Sequence, residues 1–230
     1  MTIQTTRRAS LMGAGQLLTL GALGIVLPRH AFAQTILPLT PPMDLGPFYP
    51  VQRPLDEDAD LTRLKGHKTR AKGEVIEVSG RVLSPDGAPQ PGAVLEVWQA
   101  NAAGRYDHPG DTSDVPLDPD FQGYGRIVAD AQGAFRFLTV KPAAYVAFVG
   151  GFKRTAHIHV DVQGKRQRLV TQLYFPADID VLRQDLVLMH DMRLSITDAF
   201  PPYIFAEAVA GSSRLEPGAA HWRFDVVLRG

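Results

Sequence analysis

The 230-residue chain has no cysteine. That excludes disulfides, thiolate metal sites and thiol nucleophiles, so any metal must be held by His, Tyr, Asp or Glu. Net charge is missing as well, since 24 Lys and Arg balance 24 Asp and Glu. A balanced chain gives no sign of nucleic acid or an anionic membrane as a partner. A long unbroken apolar run is also absent. The one candidate, Leu11 to Leu27, is short and interrupted by glycines, which makes it a poor membrane span. Nothing repeats at a fixed period and nothing is of low complexity.

Hydrophobic residues make up 45% of the chain, enough for one globular domain with a substantial core. The 21 Gly and 18 Pro make it turn-rich, which suits many short strands better than long helices. The N-terminus reads as an address. Arg7 and Arg8 precede the apolar run, and Ala31-Phe32-Ala33 is a small-residue cleavage pattern. The arginine pair is that of the twin-arginine class, so residues 1–33 are expected to be an export signal removed after Ala33. The mature protein is then expected in the periplasm or outside the cell, with no membrane partner. Residues 34–230 are expected to form one domain with an N-terminal arm.

Within that domain, 34–50 is Pro-rich and irregular and reads as a segment wrapping a surface. Alternating apolar residues predict strands over 75–82, 93–99, 125–129, 134–140, 154–162, 169–175 and 222–228. Turn signals such as Ser84-Pro85-Asp86-Gly87 separate them. Only 178–189 shows helical periodicity, and it is weak. Short strands between turns predict a mainly β chain, an antiparallel β-sandwich with long loops and little helix.

The chemistry centres on Arg154-Thr155-Ala156-His157-Ile158-His159-Val160-Asp161-Val162. On a strand, His157, His159 and Asp161 share one face and Ile158, Val160 and Val162 the other. Two imidazoles at that spacing can reach one metal ion, with the Arg154 cation beside them. Alone, His-x-His is more often a pair of exposed histidines on an edge strand. Tyr106 and Tyr145 lie in loops at strand ends, where functional groups are usually displayed. A tyrosine binds metal well only as phenolate, and a hard trivalent cation lowers the phenol pKa. Two phenolates with two imidazoles favour Fe(III). Without the tyrosines, zinc, copper or a two-His-one-carboxylate Fe(II) site using Asp161 fit equally well, and spacing does not choose among them.

Several separate runs resemble the intradiol ring-cleavage dioxygenases, most of all the protocatechuate 3,4-dioxygenase group. They are Val97 to Tyr106, Pro116 to Arg126, Arg154 to His159, Leu169 to Phe175 and Arg223 to Gly230, with Gly46-Pro47-Phe48-Tyr49-Pro50 in the arm. The resemblance implies non-haem Fe(III) held by Tyr106, Tyr145, His157 and His159. Tyr145 and His159 would be axial, with Tyr145 leaving as substrate binds. Tyr106 and His157 would be equatorial beside a hydroxide. It further implies an aromatic diol and O2 as partners, and ring cleavage to a cis,cis-muconate. Arg154 would stabilise charge on the ring. Gln172 would neighbour the substrate, and Tyr49 would cover the pocket mouth. A homo- or hetero-oligomer is expected on the same basis.

The chain departs from that family at Thr155 and Val146, where proline is usual, and by lacking a tryptophan before Arg154. These changes bear on pocket shape rather than on the ligands. Two other readings compete: an exported, non-catalytic β-sandwich binding module with a vestigial site, and a zinc- or copper-binding protein using His157 and His159. His67 and His108 are expected to be solvated, Trp98 and Trp222 to be core, and Asp118 and Asp120 to fix a loop. Tyr174 is expected to be structural, and His190 and His221 to lack partners.

Overall fold

The computed structural model describes residues 36–53, 56–147, 151–177, 179–195 and 197–229. The expected export signal over 1–33 lies outside the described residues. Strand β1 (Val75–Leu83) is the centre of one sheet. On one side β1 pairs antiparallel with β4 (Ala134–Val140). On the other, β10 (Ala220–Arg223) and β11 (Val226–Val227) run parallel to it, and β9 (Glu207–Val209) pairs with β10 at the edge. The second sheet is antiparallel throughout. Its order is β3 (Tyr124–Val128), β2 (Val94–Trp98), β7 (His157–Gln163), β8 (Arg168–Tyr174). A two-stranded ribbon of β5 (Tyr145–Val146) and β6 (Lys153–Arg154) stands apart. Among the described residues, helix is confined to α1 (Ile179–Leu182), α2 (Leu186–Asp191) and one 3-10 turn at Pro202–Ile204.

The two sheets share one apolar core. Ile76, Val78, Phe137 and Val140 from the first meet Leu95, Val97, Ile158, Val160, Val162 and Leu173 from the second. The mainly β reading therefore holds, with one correction. The first sheet is mixed rather than antiparallel, and the single closing strand expected over 222–228 is split in two. Gly80 supplies the reason. A Cβ there would lie 1.9 Å from the Phe224 carbonyl oxygen, so only glycine lets the chain cross β1 at this point. At the crossing the Phe224 N–H donates to the Ser79 carbonyl, and the Asp225 carboxylate accepts from the Arg81 N–H.

The competing reading of His-x-His as exposed histidines on an edge strand does not hold, because β7 is a central strand between β2 and β8 and every residue from His157 to Val162 is buried. The strand begins at His157 rather than at Arg154, which lies on β6. The face carrying His157, His159 and Asp161 is roofed by the arm. The Met43 N–H donates to the Val170 carbonyl at 2.9 Å. Thr171 Oγ1 donates to the Pro41 carbonyl at 2.9 Å, and Gln172 Nε2 to the Asp44 carbonyl at 2.7 Å. The functional face thus lies between the second sheet and its own N-terminal arm.

One buried carboxylate ties the first sheet together. Glu77 accepts from Arg136 at 2.6 Å, from the Ser213 hydroxyl at 2.5 Å and from the Arg214 N–H at 2.6 Å. Burial alone would raise its pKa, but the bonds from Ser213, Leu215 and Arg214 and the charge of Arg136 hold it below the carboxylate value of 4.5. A depressed folded-state pKa stabilises the fold above the unfolded value and loses that contribution as pH falls through it. Glu77→Ala is expected to cost about 3 kcal/mol at neutral pH, read by denaturant unfolding. The difference from wild type should shrink as the pH falls below about 4.5.

Candidate metal centre

His157 and His159 project from the outer face of β7 toward the arm. The Nδ1–H of His157 donates to the Thr155 carbonyl at 2.6 Å, because a carbonyl can only accept. Its Nε2 lone pair is thereby aimed inward, 3.2 Å from Nε2 of His159. Trp98, the cross-strand partner of His159, stacks flat on that ring with centroids 4.8 Å apart. The arm presses on the ring as well. A Cβ on Gly46 would lie 3.1 Å from His159 Cε1, and Gly46 has φ of 72°, so a side chain there would be both crowded and strained.

The two tyrosines arrive from separate segments, Tyr106 after β2 and Tyr145 on the ribbon that leads into β7. Tyr106 follows β2 in a loop shaped by Asn101, whose side-chain oxygen accepts from the Ala103 and Arg105 N–H groups. Asp111 then accepts from the Tyr106 N–H at 2.8 Å. These bonds set the Tyr106 hydroxyl 3.5 Å from His157 Nε2. Tyr145 stands on β5 directly opposite Arg154 on β6. Its ring centroid is 5.6 Å from that of Tyr106 and 5.8 Å from that of His157. The four residues expected as ligands are thus gathered at one place.

The electrostatics suit a cation. Burial holds His157 and His159 well below the usual imidazole range, reinforced at His157 by Arg154 and at His159 by His157 and then Arg154. Both rings are neutral with lone pairs available. Burial pushes the Tyr106 phenol well up, with Tyr145 adding to it and Arg154 opposing. Burial raises Tyr145 too, against the pull of Arg154. Two neutral imidazoles and two phenols that ionise only beside a strong positive charge form a donor set for a hard, highly charged ion. Asp161 is not part of it. Its carboxylate is taken by Arg168, at 3.0 Å from Nε and 2.7 Å from Nη2, so the two-His-one-carboxylate alternative loses its carboxylate. Among the described residues no group of three or more His, Cys, Asp and Glu gathers around a point, so a metal here depends on the tyrosines.

Arg154 is only 3% exposed. Its Nε donates to Asp185 at 2.9 Å, and its Nη2 donates to Gln172 at 2.7 Å and to the Tyr174 hydroxyl at 3.2 Å. Burial works against its charge, but Tyr174 and Asp185 outweigh burial and hold it firmly protonated. Only Nη1 has no hydrogen-bond partner among the described residues. Arg154 and Tyr145 line a cavity of about 240 Å³ with Asp44, Gly46, Pro47, Phe48, Gly110, Ala147, Phe152 and Val187.

Two expected substrate contacts fall elsewhere. Tyr49 turns away from the cavity. Its hydroxyl donates to Glu96 at 2.6 Å and its ring stands edge-on to Trp98, while its neighbour Phe48 packs on Tyr106 and Tyr145. Gln172 does not reach the cavity. Its oxygen accepts from Arg154 and Tyr174, and its nitrogen donates to the Asp44 carbonyl. Gln172 therefore positions Arg154. Tyr174 belongs to the same network and packs on the His157 ring at 5.5 Å, a closer tie to the site than a structural residue implies. His221 also has a partner, Ser79 Oγ at 2.7 Å. His108 is half-buried against Phe48, and Asp120 holds His67 and Thr69 as a loop-fixing residue does.

Asp185 is the site residue that sequence reasoning missed. It is wholly buried and accepts from Arg154 Nε, the Thr155 N–H and hydroxyl, and the Leu188 N–H that starts α2. An aspartate three residues before a helical N–H is a capping signal, but nothing in that pattern points 31 residues back to Arg154. Thr155 gives this bond network its local form, since a proline there could donate neither bond.

A family model described as Dioxygenase matches residues 45–230, most of the chain. The chain belongs to the intradiol dioxygenase family. This intradiol dioxygenase is 40% identical over 190 residues to the protocatechuate 3,4-dioxygenase beta chain of Burkholderia cepacia, covering 81% of this chain and 74% of that one. It is 33% identical over 156 residues to a hydroxyquinol 1,2-dioxygenase of a Rhizobium species, covering 62% of this chain but only 50% of that one. Among solved structures it resembles the dioxygenase domain of a dioxygenase and carbohydrate-binding fusion from Streptomyces sp. SirexAA-E. The TM-score is 0.58 at 27% identity, covering 84% of this chain and 99% of that one.

Two outcomes follow for the metal-free protein. Asp185→Ala leaves the buried Arg154 cation unpaired, and unfolding should show a loss of about 3–5 kcal/mol. Thr155→Val, which keeps the N–H bond, should lose only about 1 kcal/mol. Because His157 and His159 resist protonation when folded, the unfolded chain binds more protons below pH 6.5. Stability should therefore fall on acidification by about 1.4 kcal/mol per pH unit for each histidine. A flat unfolding profile from neutral to mildly acid pH would contradict their buried, neutral state.

Proposed function

We propose that the chain is a non-haem Fe(III) enzyme that opens a catechol-type ring between its two hydroxyl-bearing carbons with O2, giving a cis,cis-muconate. The observation that carries this reading is the meeting of two imidazole Nε2 atoms, 3.2 Å apart, with the Tyr106 hydroxyl 3.5 Å from one of them, in a buried site that also receives Tyr145. Tyr106, Tyr145, His157 and His159 would hold the ion. When bound, ferric iron would supply Lewis acidity toward a catechol and activate its ring toward dioxygen.

The chain's own residues have separable tasks. The Thr155 carbonyl fixes the proton of His157 on Nδ1 and keeps its Nε2 available. Tyr145, on the short β5–β6 ribbon, is the ligand best placed to leave, and its phenolate oxygen would take one catechol proton as it does so. Arg154 presents Nη1 to the cavity while Asp185, Gln172 and Tyr174 hold the rest of its guanidinium. A fixed cation there stabilises negative charge developing on the ring. Phe48, Pro47, Phe152 and Val187 exclude water from the reacting face.

A non-catalytic binding module is the weaker reading, because nothing in such a role calls for two buried imidazoles, one buried and one half-buried phenol and a tethered arginine together. We further infer that residues 1–33 direct export to the periplasm or beyond. Assembly with itself or with a second subunit type is proposed in view of the relative named as a beta chain.

The test is oxygen uptake by the iron-loaded protein with a panel of catechols, scored with the formation of a muconate product. Wild type should consume O2 in step with product. Arg154→Ala and Tyr145→Phe should each lower kcat by about 100-fold or more while iron remains bound. Full turnover in both variants would overturn the roles given to them.

A further inference from the structure

The substrate class can be read one step further, on the footing of the catechol reading above. Two cavities adjoin at Phe48, Tyr145 and Ala147. One is the 240 Å³ space that contains Arg154, and the other, about 490 Å³, runs on past Gly104, Ser113, Val115 and Val146. Their charged lining is Arg154, Asp44 and Asp111. Arg154 is the one cation among these, and it lies at the metal end, across the ribbon from Tyr145. Asp185 already balances it. Asp111 is committed to the Tyr106 N–H and to Ser113.

Asp44 is exposed and so stands at the rim. Its carboxylate has the Gly46 N–H as its partner, and its own N–H donates to the Asp191 carboxylate. His108, packed on Phe48, accepts from the Gly110 N–H at Nδ1. Beyond the arginine, a ring substituent therefore meets Pro47, Phe48, Phe152, Val187 and Val115, with the Asp44 carboxylate at the rim and no second cation among the described lining residues.

We propose that the preferred substrate is a catechol carrying an uncharged, apolar alkyl or aryl substituent, and that Asp44 discriminates against a ring carboxylate. An apolar group gains by leaving water in such a lining, whereas a carboxylate would be desolvated beside a like charge.

The experiment is anaerobic titration of the iron-loaded full chain, followed by its visible spectrum, with catechol, 4-ethylcatechol and 3,4-dihydroxybenzoate. The expected result is that 4-ethylcatechol binds at least as tightly as catechol, and 3,4-dihydroxybenzoate about tenfold more weakly. In Asp44→Asn, which keeps an acceptor for the Gly46 N–H, the penalty on the carboxylate should shrink about threefold relative to catechol. Binding of 3,4-dihydroxybenzoate as tight as that of catechol would overturn the inference and leave the dioxygenase reading standing. Binding of none of the three would remove both. An unchanged ratio in Asp44→Asn would overturn the part given to Asp44.

Discussion

A buried polar face has to be paired with something, and the outer face of β7 is wholly buried while carrying two imidazoles and a carboxylate. Most of the architecture around the site meets that demand. Arg168 covers Asp161, the Thr155 carbonyl takes one proton of His157, and Trp98 and Gly46 close on either side of His159. The two Nε2 atoms are left facing each other and two phenols. The arm is pinned to β8 by three hydrogen bonds, and it makes this face an interior. Interior burial then keeps the imidazoles neutral and the phenols protonated until a cation arrives.

The same reasoning explains Arg154. A buried guanidinium is tolerable only when its hydrogen bonds are met, and Asp185, Gln172 and Tyr174 meet those of Nε and Nη2. Asp185 also binds Thr155, whose carbonyl orients His157, and it starts α2, whose Val187 lines the cavity. One carboxylate thus links the cation, the orientation of a histidine and one wall of the pocket. The apolar side of that pocket, with Asp44 at its rim, is what bears on which ring can enter.

Much of this was legible in the chain. Alternation marked the long strands, and the runs at Val97 to Tyr106 and Arg154 to His159 marked the residues that gather at the site. The failures share a physical origin. Period-two alternation cannot distinguish a strand buried on both faces from an edge strand, because the cover over His157 and His159 comes from an irregular arm more than a hundred residues away. Tyr49 and Phe48 are adjacent, and only packing against Trp98 decides which of them turns outward. Asp185 carried a helix-cap signal but no trace of its bond to Arg154. The crossing over Gly80 that splits the last strand depends on a contact between residues 144 apart.

The central claim is that both tyrosines join the two histidines on one ferric ion. It is tested most directly by the iron content and visible absorption of the ferric-loaded protein, measured beside Tyr106→Phe and Tyr145→Phe. The account predicts a coloured wild-type protein with stoichiometric iron, and a visible band weakened or shifted in each variant. A protein that stays colourless with iron bound, or a band unchanged in both variants, would contradict it.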